Sequence, residues 1–140
     1  MISRALLNQA KAFLCWDVIK NCSIQLVKLQ QETAYFLPPG DRNTILVFYN
    51  SEPDFSAPLF LLFHEAGHCL QYEEYKQAGH ENEYQSLLNL PTGSERVNFE
   101  EEAWKRGRDL FKKFLLKEGG ELSVLARYDE FAAQSLQSYK

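Results

Sequence analysis

The chain has 140 residues, 45% of them hydrophobic and 14% aromatic, which is enough to bury one core and too apolar for a disordered polymer. A net charge of −4, with no long Lys/Arg run, excludes a nucleic-acid binder that tracks phosphates. Three cysteines, Cys15, Cys22 and Cys69, cannot all pair and show no CxxC spacing, which excludes a disulfide framework and points to a reducing cytoplasm.

In chain order, residues 2–20 carry apolar side chains at Ile2, Leu6, Leu7, Ala10, Phe13, Leu14 and Ile19, a spacing that predicts an amphipathic helix lying over the core. Asn8, Gln9 and Lys11 interrupt that pattern, so the segment is not expected to be an export signal. Three β-favouring runs follow: Ile24 to Leu29, Thr33 to Leu37 and Thr44 to Tyr49. They are separated by Gln30-Gln31-Glu32 and by Pro38-Pro39-Gly40-Asp41-Arg42-Asn43, and they predict a small three-stranded antiparallel meander. After Asn50-Ser51-Glu52-Pro53-Asp54, Ser56 offers an N-cap and Pro58 falls in a first turn, so a helix is expected from Ala57 to about Ala78, closed by Gly79. Its apolar run, Ala57 to Phe63, is far shorter than the ~20 residues that cross a bilayer, so no membrane association is expected. Residues 79–96 are read as a long loop. Asn98 with Glu101 resembles a capping box that opens a helix to about Lys117, which Gly119-Gly120 terminates, and a last helix spans about 121–138. The sum is one α+β domain over residues 1–140: an N-terminal helix, a small antiparallel sheet, a central helix and two C-terminal helices.

The central helix carries His64-Glu65-Ala66-Gly67-His68. Residues four apart stand one above the other on a helix, so His64 and His68 can aim an imidazole nitrogen at a common point, and that point can hold Zn²⁺. Glu65 is turned by about 100° from His64 on a helix, out of the ligand set but within reach of a water at the metal, where a general base is needed. The run Leu59-Phe60-Leu61-Leu62-Phe63 places this helix in the interior, where two histidines need partners. Gly67 weakens the helix locally, which a close approach of another element would explain.

A catalytic zinc site takes three protein ligands, and Glu100, Glu101 and Glu102 stand together downstream. On a helix Phe99, Ala103, Gly107, Leu110, Phe111 and Phe114 define one apolar face; Glu100 lies about 40° from its centre, Glu101 and Glu102 roughly 120–140° away. Glu100 is therefore the candidate third ligand, since a buried carboxylate needs a counter-charge. The other two acids suit the positive end of the helix dipole. His80, beyond the motif helix, could approach the metal but is read as a solvated loop residue. Tyr84 and Tyr128 are candidate oxyanion donors, with core or surface packing as the plainer role. Cys69 points off the ligand face and is expected to pack as a small apolar group. The basic stretch Lys105 to Lys113 is read as a solvated helix face.

With a strand, then a helix bearing His64-Glu65-Ala66-Gly67-His68, then some thirty residues, then a helix opening Glu100-Glu101-Glu102-Ala103-Trp104, residues of roughly 40–117 resemble the zincin-like (gluzincin-like) minimal metallopeptidases, closest to the ImmA/IrrE type. That resemblance implies His64, His68 and Glu100 as zinc ligands, Glu65 as catalytic base and a protein or peptide as substrate. Trp104 stands where the family usually has Asn or Asp after the Ala, which leaves an outer hydrogen bond to a ligand histidine missing or supplied from elsewhere.

Two functional readings follow, with a metal-free helical adaptor as a third. The first is zinc-dependent peptide hydrolysis, with an extended substrate pairing to the edge of the Thr44–Tyr49 strand. The second is a metal-holding zincin-fold module, such as a phage or mobile-element regulator, that works by protein interaction without cleavage.

Overall fold

A computed structural model describes residues 1–30, 32–37, 43–50 and 53–140. Helix α1 runs over Arg4–Phe13, started by Ser3, whose hydroxyl accepts the Leu6 N–H at 3.1 Å. The expected continuous helix to residue 20 instead widens into a π-helical turn, Leu14–Val18, closed by the Ile19 N–H donating to the Leu14 carbonyl at 2.8 Å. That turn throws Trp16 outward, 86% exposed, while Leu14 and Ile19 stay in the core.

Strands β1 (Cys22–Lys28), β2 (Thr33–Leu37) and β3 (Asn43–Tyr49) form one sheet in the order β1-β3-β2. The expected antiparallel meander is corrected here: β3 lies in the middle, parallel to β1 and antiparallel to β2, so the sheet is mixed. Residues 29–32 carry no Asn-Gly or Gly-X pair that would fold β1 directly back on β2. The turn expected over Pro38 to Asn43 lies outside the described residues as far as Arg42. Ile24, Ile45, Val47 and Phe36 share the buried face, with Ile45 opposite both Ile24 and Phe36.

That face packs on α2 (Ser56–Gln77), which is largely buried through its first turns: Leu59, Phe60, Leu62, Phe63, Ala66 and Cys69 are each at most 2% exposed, while Ala57 and Leu61 are half-buried. Ser56 is the first helical residue of α2, not its cap. Capping falls to Asp54, whose Oδ1 accepts from the Ser56 N–H (3.2 Å), the Ser56 hydroxyl (2.6 Å) and the Ile2 N–H (2.9 Å). Gly79, at φ +76°, ends the helix as expected. His80 N–H reaches the Tyr75 carbonyl and Gly79 N–H the Lys76 carbonyl, a paired closure that only a left-handed residue allows.

Within residues 79–96, read from sequence as a loop, lies a short helix α3 (Glu81–Asn89). Tyr84, Leu87 and Leu88 supply its inward face at helical spacing, and Glu81 and Glu83 suit its first turn. Helix α4 (Ser94–Glu118) begins four residues before Asn98, so the expected capping box lies inside it. Helix α5 (Val124–Leu136) and a 3₁₀ turn (Gln137–Tyr139) follow.

Helices α2 and α4 approach closely enough that glycine is required at the crossing. A Cβ on Gly67 would strike the Ala103 carbonyl, and one on Gly107 would strike the Phe63 carbonyl and sit 2.5 Å from the Tyr128 hydroxyl. The close approach expected at Gly67 is thus present, and it brings the motif face of α2 against the start of α4. No helix among the described residues is long and apolar enough to cross a membrane.

Candidate metal centre

The motif histidines occupy successive turns of α2 and face Glu100, two turns into α4. His64 Nε2 lies 3.3 Å from Glu100 Oε1; His68 Nε2 lies 3.1 Å from Oε1 and 3.0 Å from Oε2. One ligand atom from each residue can be chosen so that all lie within 4.8 Å of one another, and all three side chains are buried, Glu100 at 2% exposure. Together they form a buried His-His-Glu group that could hold a metal ion. Three atoms around an ion at bonds of about 2.0–2.2 Å in tetrahedral directions are about 3.3 Å apart, close to the spacing of each histidine from Glu100.

Hydrogen bonding settles the tautomer of His68. The Gln71 amide donates from Nε2 to the Phe99 carbonyl at 3.0 Å, so its Oε1 faces His68 and accepts the Nδ1–H at 2.9 Å. Neutral His68 then aims a lone pair from Nε2 at the carboxylate of Glu100, and lone pair against lone pair in a dry site requires a proton or a cation between them. Glu100 Oε2 is buried and accepts no hydrogen bond, although the Arg96 guanidinium lies 3.4 Å away, so it keeps acceptor capacity for an ion. The residues present therefore fit a divalent ion.

Titration behaviour follows from the same geometry. Burial pushes His64 down to about 4, and the neighbouring His68 adds to this although Glu100 opposes it. Burial also acts to lower His68, yet the Glu100 carboxylate outweighs it and His68 is raised. Glu100 would be raised by burial, but the two imidazoles hold it well below the usual carboxylate range. Arg96 adds positive charge: its Nη2 lies 3.4 Å from Glu100 Oε2, while Nη1 donates to the carbonyls of Leu88 and of Leu90 (2.8 Å) at the end of α3. The Tyr139 ring covers the guanidinium at 4.7 Å.

Glu65 is buried beside this group and is not part of it. Burial pushes its carboxyl up to about 7, against the pull of His68 and of the Phe36 backbone N–H, which donates to it from β2. A cleft of about 550 Å³ exposes edges of His64, Glu65, His68 and Glu100, and residues 33–37 of β2 form one of its walls. Strand β3 is paired on both sides, so the edge expected at Thr44 to Tyr49 is not free; the edge that borders the cleft belongs to β2.

Other residues weighed from sequence fall outside the group. His80 is exposed and pairs with Glu83 at 3.5 Å. Cys69 is fully buried, its thiol pushed up by burial. The Tyr128 hydroxyl donates to the Trp104 carbonyl at 2.8 Å and does not line the cleft, whereas Tyr84 does. Glu101 pairs with Lys105 (3.7 Å) and Glu102 with Arg106 (2.7 Å), both on the outer face. Trp104 stacks on His64, and the outer hydrogen bond to His68 comes from Gln71. Gln71 and Arg96 were not singled out from sequence. Gln71 stands three residues after His68 on one helix face, and Arg96 four before Glu100, which was legible only with α4 starting at Ser94.

Comparison with known protein families, curated proteins and solved structures found no match to the chain.

Proposed function

We propose that this chain is a metal-dependent hydrolase, and within that class a zinc peptidase of the minimal gluzincin-like kind that the motif resembles. The single observation that carries the reading is the convergence of His64, His68 and Glu100 beside a buried Glu65 in one cleft. Two imidazoles and one carboxylate are a donor set suited to zinc with a position left open. A zinc ion held there supplies Lewis acidity, which lowers the pKa of a water and polarises a carbonyl.

The remaining chemistry belongs to the chain. Glu65 accepts the proton of the attacking water and returns it to the leaving amine, and the Phe36 N–H favours its ionised form. The free edge of β2 gives an extended peptide main-chain groups to pair with, while Tyr35 and Leu37, 52% and 46% exposed, stand beside that path. Gln71 fixes His68, Arg96 ties Glu100 to the end of α3, and a protein or peptide is the substrate class. The cytoplasm is the proposed compartment, on the cysteine usage.

The experiment is Glu65→Gln assayed against a casein or mixed-peptide substrate. The variant is expected to bind zinc as the parent does and to lose at least ~100-fold in hydrolysis, the scale of general-base catalysis. Equal turnover by the two proteins would remove Glu65 as base.

A further inference from the structure

The two motif histidines are held in different ways. His68 is fixed through Nδ1 by Gln71, whereas His64 Nδ1 is buried with no hydrogen-bond partner. Metal-ligating histidines are ordinarily oriented through that second nitrogen, and the torsion that turns an imidazole ring is otherwise broad. Something else must select the rotation of His64. The Trp104 indole lies face to face with it, centroids 3.9 Å apart and planes 19° from parallel.

We propose that Trp104 is a positioning residue that turns His64 Nε2 toward Glu100 by stacking, in place of the missing hydrogen bond; the inference rests on the metal-holding reading above. Trp104 follows Glu100 by four residues on α4, so one rigid turn sets both the carboxylate and the plane against which His64 rests. The indole cannot yield easily. It is 4% exposed, its ring meets Tyr128 edge-on at 5.3 Å and Phe131 at 5.9 Å, and its own carbonyl accepts the Tyr128 hydroxyl. The backbone contact between Gly67 and Ala103 fixes α4 against α2, so the stack has a defined partner on the motif helix. Stacking restrains the ring plane without an acceptor on Nδ1, which explains how a buried, unpartnered imidazole nitrogen coexists with an ordered ligand geometry.

The test uses the full chain carrying Trp16→Phe, which leaves Trp104 as the single tryptophan. Emission is followed while zinc, and separately the paramagnetic cobalt(II), is added, and zinc affinity is measured by competition with a chelator. Trp104 emission is expected to change to saturation at one equivalent and to be quenched by cobalt. Against the same background, Trp104→Phe keeps a stacking face and should stay within about threefold of the parent affinity. Trp104→Leu fills space without a face and should weaken zinc by about 10–100-fold, as loss of an outer partner does. A folded Leu variant that binds zinc as tightly as the parent, or emission that ignores the metal, overturns the proposal. The emission titration decides even if the Leu variant does not fold. A parent that binds no zinc overturns the metal centre and this inference together, whereas a zinc-binding parent with an unaffected Leu variant overturns this inference alone.

Discussion

A single methyl group added at Gly67 tests whether the spacing of α2 and α4 sets the site. In an exposed helix, Gly→Ala stabilises by about 1 kcal/mol. Here the new Cβ would lie against the Ala103 carbonyl oxygen, 2.9 Å from the carbonyl carbon and 3.0 Å from Gly107 N. The last two separations fall about half an ångström inside the ~3.5 Å at which non-bonded carbon contacts are optimal, and the contact with the carbonyl oxygen is closer still. All three obstacles are backbone atoms, which cannot rotate aside, so the helices must part. Overpacking of this kind costs about 1–3 kcal/mol, which exceeds the propensity gain over most of its range. The melting temperature should therefore fall by a few degrees, at roughly 2–4 °C per kcal/mol for a chain of this size. Glu100 sits one turn before Ala103 and moves with it, and metal–ligand distances tolerate only about ±0.2 Å, so zinc affinity should fall further in proportion than stability. Thermal unfolding by circular dichroism, paired with chelator competition, measures both. A Gly67→Ala variant as stable as the parent, with unchanged zinc affinity, would refute the reasoning that this backbone contact spaces the ligands.

Two other perturbations separate roles around the centre. Gln71→Leu removes the partner of His68 Nδ1 and frees the Phe99 carbonyl, and should weaken zinc by about 10–100-fold in a chelator competition; unchanged affinity would mean that His68 is held by packing alone. Asp54→Asn tests the start of α2. Partial burial raises Asp54, but Ser56, the Ile2 N–H and Arg127 outweigh it and hold the carboxyl at about 2. Its folded pKa is thus below its ordinary value of 3.8, so the carboxylate adds stability that is present above about 4 and is lost as pH falls through about 2. Urea unfolding should show the gap between parent and variant closing over that acid window, and a gap constant with pH would contradict it.

What the sequence made legible were features written in local spacing. The ends of α2 and α4 follow from Gly79 and Gly119, and His64, His68 and Glu100 were chosen from helix faces that the structure brings together. Gly67 announced the crossing because a helix interior rarely spends a glycine without a neighbour that needs the room. Sheet order was not legible, because the slot between β1 and β2 is filled by a strand that comes later in the chain. The face of Tyr84, Leu87 and Leu88 was hidden by the flanking turn residues, so α3 read as loop and Arg96 lost its place beside Glu100. The stacked partner of His64 could not be read from Trp104 alone, since stacking depends on the α2–α4 distance that Gly67 and Gly107 permit.

The central claim is the ligand set, and X-ray absorption at the zinc edge tests it most directly. Protein loaded with one equivalent of zinc should show two imidazole nitrogens at about 2.0–2.1 Å and one carboxylate oxygen at about 2.0–2.2 Å, with a light solvent atom completing four. Glu100→Gln should remove the carboxylate contribution and His64→Ala one imidazole. A spectrum with sulfur ligands, with four protein ligands, or unchanged by Glu100→Gln would contradict the account.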